Sequence, residues 1–180
     1  MFKKISVKVI LSAIGLLLIG PGIAHCQTAK AAVRIGTYDS RAIAIAYYNS
    51  GQPAQAQVRG LQAEYAKAKA ANDDKSAKEL EAAGIAWQEL MHEQAFSTGS
   101  ISNIIAAIKD KLPAIAQEAG VALLASKWDM TYRDASVEYV DVTMSLVKLF
   151  NPGEKVMKWI EELKTQDPVP IDSLQRGVMK

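Results

Sequence analysis

The chain has 180 residues, with 21 Lys and Arg against 19 Asp and Glu, a single cysteine, Cys26, and two histidines, His25 and His92. Its slight basicity is confined to the start: residues 27–180 hold 18 basic and 19 acidic side chains, a net charge of −1. That balance gives no electrostatic case for binding nucleic acid or anionic membrane, and one cysteine excludes a disulfide within the chain. A zinc site or a Ser-His-Asp triad would need more histidine or cysteine than this.

Lys3, Lys4 and Lys8 precede an apolar run from Val9 to Ile19, which Gly20-Pro21-Gly22 ends before a stretch of small residues. This is the order of a secretory signal: basic, apolar, then a cleavage zone. The run falls short of the roughly 20 residues that span a bilayer. Residues 1–31 are therefore expected to be a signal peptide, cleaved after Cys26 or after Ala31. Lipidation of Cys26 is the alternative, giving a membrane-anchored lipoprotein, and an uncleaved anchor is a third. Each places the chain outside the cytoplasm, in the periplasm, away from ATP and reduced nicotinamides.

Residues 32–38 (AVRIGTY) carry the β-branched content of a strand, with Val33, Ile35 and Thr37 on one face. Asp39 or Ser40 can cap the helix that follows, over 41–49, and Ser50-Gly51-Gln52-Pro53 interrupts it. From Ala54 to about Ala95, Ala, Gln, Glu and Lys dominate. Val58, Leu61, Tyr65 and Ala68, and then Leu80, Ala83, Trp87 and Leu90, recur at spacings of three and four, the seam positions of a coiled-coil-like helix. Asn72-Asp73-Asp74 can end one helix and cap the next, and Gly84 is a weak point.

Ser97-Thr98-Gly99-Ser100 breaks the pattern. Ile101, Ile105, Ile108, Leu112, Ile115 and Ala119 then form an apolar stripe, expected to kink at Pro113 and to close at Gly120. Residues 121–128 read as a buried strand and 137–142 as another. Thr143 is expected to cap a helix over 144–151, and Pro152-Gly153 separates it from an amphipathic helix over 154–164. Residues 165–180, with Pro168 and Pro170, read as irregular. The fold class is α+β: a small body of about three strands with a long, interrupted helical-hairpin insertion over about 54–119.

An apolar stripe in water aggregates and a small sheet is marginal alone, so both features point to an oligomer. Tyr38, Tyr47 and Tyr48 are read as core in preference to an aromatic binding surface. Trp87 and Met91 are read as seam residues, with adaptable contact to a client as the other option. Glu89, His92 and Glu93 share helical spacing, but a solvated face is the simpler reading than a metal site. Asp73-Asp74 reads as a cap, not a calcium loop. No catalytic, cofactor-binding or metal-binding residue is assigned, and client-contacting residues are not fixed.

The stretch VRIGTYDSRAIAIAYYNS, the Ala-rich middle, IAAIKDKLPAIAQEAGVALLASKWDM and VEYVDVTMSLVKLFN together resemble the Skp/OmpH family of periplasmic chaperones over residues 32–151. The resemblance implies a trimer whose small β-bodies carry helical arms that hold unfolded outer-membrane proteins without nucleotide. The chain departs from the family in its near-neutral charge, in the breaks within its helical insertion, and in residues 152–180, which extend past the matched part. Two functions follow as expectations: a non-enzymatic holding chaperone, or a non-catalytic envelope adaptor that binds a folded partner.

Overall fold

The computed structural model describes residues 33–51 and 53–177. The expected signal segment, including Cys26, lies outside the described residues. Among those described, no helix is long and apolar enough to cross a membrane.

The three expected strands form one sheet. β1 (Arg34–Tyr38) lies between β2 (Leu123–Ser126) and β3 (Glu138–Asp141), and both pairings are parallel. Ile35 pairs with Leu123 on one side and with Tyr139 on the other. Residues 121–128 were expected to be buried. Instead β2 is a four-residue edge strand whose Leu123 is 47% exposed, because no strand among the described residues pairs beyond it. Gly36 lets β2 approach: a Cβ there would meet Leu124 Cδ2 at 2.6 Å and Val121 Cγ2 at 3.0 Å.

The core forms around α1 (Ser40–Tyr48), not on the sheet. Its sequence SRAIAIAYY is apolar nearly all round, and every residue from Ser40 to Tyr47 is buried. A helix without a polar face belongs in an interior. Against it pack α4 (Ser102–Ile108), α6 (Thr143–Lys148) and α7 (Glu154–Leu163). Ile43, Ile104, Leu146 and Ile160 are the largest apolar side chains fully withdrawn from water.

Asp39 caps α1, its carboxylate accepting from the Arg41 backbone N–H at 3.0 Å. Arg41, 1% exposed, closes on the same carboxylate through Nε and Nη2, at 3.2 and 2.9 Å. Lys127 Nζ at 2.9 Å and Trp128 Nε1 at 3.0 Å complete the shell. Both cations lie over the Trp128 ring, 4.8 and 4.4 Å from its centre. Burial alone would raise the Asp39 pKa. The hydrogen bonds from Arg41, Trp128 and Lys127 outweigh it and hold the group at about 2.

Thr143 does not cap the helix after β3; it is the first residue of α6. Its backbone N–H donates to Asp141 Oδ1, and its hydroxyl accepts from the Asp39 N–H. The kinked helix expected at Pro113 is two helices. α4 ends at Ile108, a single 3-10 turn spans Lys109–Lys111, and Pro113 stands in the first turn of α5 (Leu112–Ala119), where its missing N–H removes no bond. Gly120 ends α5 at φ +62, as expected. Within this one chain Ile101, Ile108 and Ile115 of the stripe are buried and Ile105, Leu112 and Ala119 are half-buried and packed on the core, and Ile104 occupies the deepest place where Ile105 was expected. It therefore supplies no argument for association. Residues 165–177 are more regular than expected. Val169 N–H donates to the Phe96 carbonyl, the Gln166 carbonyl accepts from Arg41 Nη2, and α8 (Ile171–Gly177) packs on the second helix of the insertion.

Candidate binding surface

The insertion departs from the core as two paired helices, α2 (Pro53–Ala70) and α3 (Asp74–Phe96). Ala-, Gln-, Glu- and Lys-rich sequence favours both helices locally. The turn between them is made by Asn72 at φ +53, a conformation Asn tolerates better than most residues. Asp73 then caps α3 by accepting from the Ser76 N–H at 3.0 Å. Hydrogen bonding from the Ser76 side chain, with that from its backbone N–H, holds the Asp73 carboxyl below the usual range. Asp73-Asp74 is thus a cap at the tip of the hairpin, as the sequence suggested, and Gly84 does not interrupt α3.

Cross-hairpin neighbours run antiparallel, Val58 beside Met91, Leu61 beside Trp87 and Gly84, and Tyr65 beside Leu80. Val58, Leu61, Tyr65, Leu80 and Trp87 of the expected seam thus lie between the two helices, whereas Ala83 is exposed. With only two helices, however, the seam is left open among the described residues. Three hollows of 320, 280 and 340 Å³ follow one another along it and share Val58, Met91, Leu61, Gln62 and Gly84. They form one shallow apolar groove from Tyr48 at the base to Tyr65 near the tip. Trp87 and Met91 are half-buried, so they serve both as seam and as groove wall. Tyr65 and Ile85 are 38% and 48% exposed.

The base of the hairpin is tied down by polar bonds in a mostly buried setting. Tyr48 donates to Gln94 Oε1, and Gln94 Nε2 donates to the Ser100 carbonyl at 2.6 Å and to Asn103 Oδ1 at 2.8 Å. Burial pushes the Tyr48 hydroxyl up to about 12, so it remains a donor. Trp87 meets the Tyr48 ring edge-on at 6.0 Å, while its own indole N–H has no partner among the described residues. Of the three tyrosines read as core, Tyr47 is buried against Phe150; Tyr38 and Tyr48 are half-buried.

A second apolar groove, of 430 Å³, lies where α1, α3 and α7 meet, walled by Met91, Phe96, Trp159 and Leu163. His92 packs against the Phe96 ring at 5.7 Å. Among the described residues no three His, Cys, Asp or Glu side chains gather as a metal would require. Phe96 and Trp159 were not singled out from the sequence. Trp159 follows Val156 and precedes Leu163 on the apolar side of an amphipathic helix, a spacing that could have marked it. Ile85 falls outside the three-and-four pattern of α3, which is why it is exposed and why seam logic passes over it. No family model, no curated protein and no solved structure matches this chain.

Proposed function

We propose that the chain is an exported, ATP-independent holding chaperone that engages unfolded outer-membrane or other envelope proteins through the open seam of the α2–α3 hairpin, with no catalytic step. The observation that carries this reading is the uncovered groove from Tyr48 to Tyr65, an apolar surface on a projecting element with adaptable Met and aromatic walls. The resemblance of residues 32–151 to Skp/OmpH chaperones supports it independently.

Magnitudes bear on how such a surface would work. Each half-buried seam side chain leaves about 1 kcal/mol of apolar burial to be gained. Five of them, less the cost of ordering a client, give an affinity of about millimolar. Effective holding then requires several hairpins acting on one client, as in a homo-oligomer, where linkage multiplies weak contacts. The trimer implied by the resemblance meets that requirement.

The test is dilution of a urea-unfolded outer-membrane β-barrel protein into buffer with the purified chain in stoichiometric excess, followed by light scattering. Aggregation is expected to be suppressed, and Leu61→Ser with Tyr65→Ser and Ile85→Ser to reduce suppression severalfold without loss of helical signal. Absence of suppression by the unmodified chain refutes the reading. A second reading, an envelope adaptor for a folded partner, is favoured by the near-zero net charge of residues 27–180. Recovery of one defined folded protein, with no affinity for denatured ones, would decide for it.

A further inference from the structure

Beyond the carboxyl ends of β1 and β2 lies a cleft of 240 Å³, away from the hairpin seam. One wall is the strand ends, Tyr38 and Ser126, with Ser40 of α1. The other is the Thr98–Ser102 loop, with Ile101 and Ile105 adding apolar surface and Asp129 a carboxylate. Clefts in this position are where open parallel sheets receive ligands. The loop is held in place: the N–H groups of Ser97 and Gly99 both donate to the Glu93 carbonyl, at 3.2 and 3.1 Å.

Several hydroxyls line the cleft, and one of them, Ser100 Oγ, already accepts from the Ser102 N–H at 3.4 Å. Ser40 is 4% exposed, and the capping of α1 has passed to Asp39, so the Ser40 hydroxyl has no partner among the described residues. The hydroxyls of Thr98 and Ser102 are also unpaired among the described residues. Ser126 Oγ accepts from the Trp128 N–H at 3.2 Å, which leaves its own hydrogen to donate. Burial, helped by Asp129, raises the Tyr38 pKa and keeps that hydroxyl a donor.

Charge narrows the ligand. Asp39, Arg41, Lys127 and Asp129 sum to zero at this edge, and both cations are already engaged by Asp39. The remaining carboxylate, Asp129, opposes an anion and accepts from a donor. Hydroxyl groups both donate and accept, so they match other hydroxyl groups best. The volume lies below that of drug-sized pockets, about 300–1,000 Å³.

From these observations we propose that the cleft binds a small, uncharged polyhydroxyl molecule of monosaccharide or cyclitol size. The test uses the full-length chain labelled with nitrogen-15, titrated with D-glucose, D-galactose and myo-inositol, with glucose 6-phosphate and glucosamine as charged comparisons. Saturable amide shifts are expected at Tyr38, Ser40 and residues 98–102 with at least one neutral probe. Thr98→Val with Asp129→Asn, both at exposed positions, should weaken that binding at least tenfold while the remaining spectrum is unchanged. Three results would each overturn the proposal: no saturable shift with any neutral probe, tighter binding of either charged sugar, or binding indifferent to the double substitution.

Discussion

Asp39 shows how one side chain can join three elements. It ends β1, caps α1, and holds Arg41, Lys127 and Trp128 from two stretches of sequence far apart. Because Arg41 is buried, removing its counter-charge leaves a cation with no solvent. Asp39→Asn is expected to cost about 3–5 kcal/mol, measured by urea unfolding. The pH dependence follows from the depressed pKa. The folded value of about 2 lies below the ordinary aspartate value of 3.8, so this contribution is fully present above about pH 4 and is lost as pH falls towards 2. Its size is about 2 kcal/mol. In Asp39→Asn the fall in stability between pH 4 and pH 2 should be smaller by that amount. An unchanged acid limb would mean that other carboxylates carry it.

At the scale of elements, two glycines make opposite predictions. Gly120 sits at φ +62, and a Cβ there would meet Arg34 Nη1 at 2.7 Å, where that guanidinium donates to the Ala119 carbonyl at 2.9 Å. Gly120→Ala should destabilise by about 1 kcal/mol or more. Gly84, in mid-helix with nothing within 4 Å of its Cβ, should gain about 1 kcal/mol on replacement by Ala. Urea midpoints read both. The sequence carried these elements unevenly, for physical reasons. The all-apolar run of α1, the capping Asp39 and the αL Gly120 are local signals, so they could be read directly. Pro113 was placed mid-helix because the isoleucine periodicity continues across it, and only the intervening 3-10 turn puts it in a first turn. Ser40 was legible as a cap candidate, but not as a cleft hydroxyl, since that depends on the Thr98–Ser102 loop more than fifty residues later. The open groove was legible as spacing; that it stays uncovered depends on how many helices meet there, which spacing does not encode.

Across the molecule, stability should be graded outward from α1. Its backbone lies among the base of α3 and α4, α6 and α7 with no polar face to solvent, so its amides can open only when the core does. The outer part of the hairpin has no such cover. From about Leu61 to Leu80 only Ala68 and Ala77 are buried, each a small side chain. Helices of this length are marginal without tertiary packing, and the ion pair at the tip, Lys69 with Asp74 at 3.6 Å, is exposed and adds little. Native-state hydrogen exchange should therefore give α1 protection equal to global unfolding, while amides between Leu61 and Leu80 exchange through a lower-energy opening. Adding low urea should leave the hairpin rates almost flat and accelerate those of α1, because surface exposed in each opening sets its denaturant slope. If the hairpin is covered by further copies of the chain, raising protein concentration should slow its exchange and leave α1 unaltered. Equal protection along the whole chain, at every concentration, would show the hairpin to be part of the core unit and would remove the basis for treating it as a separable binding arm.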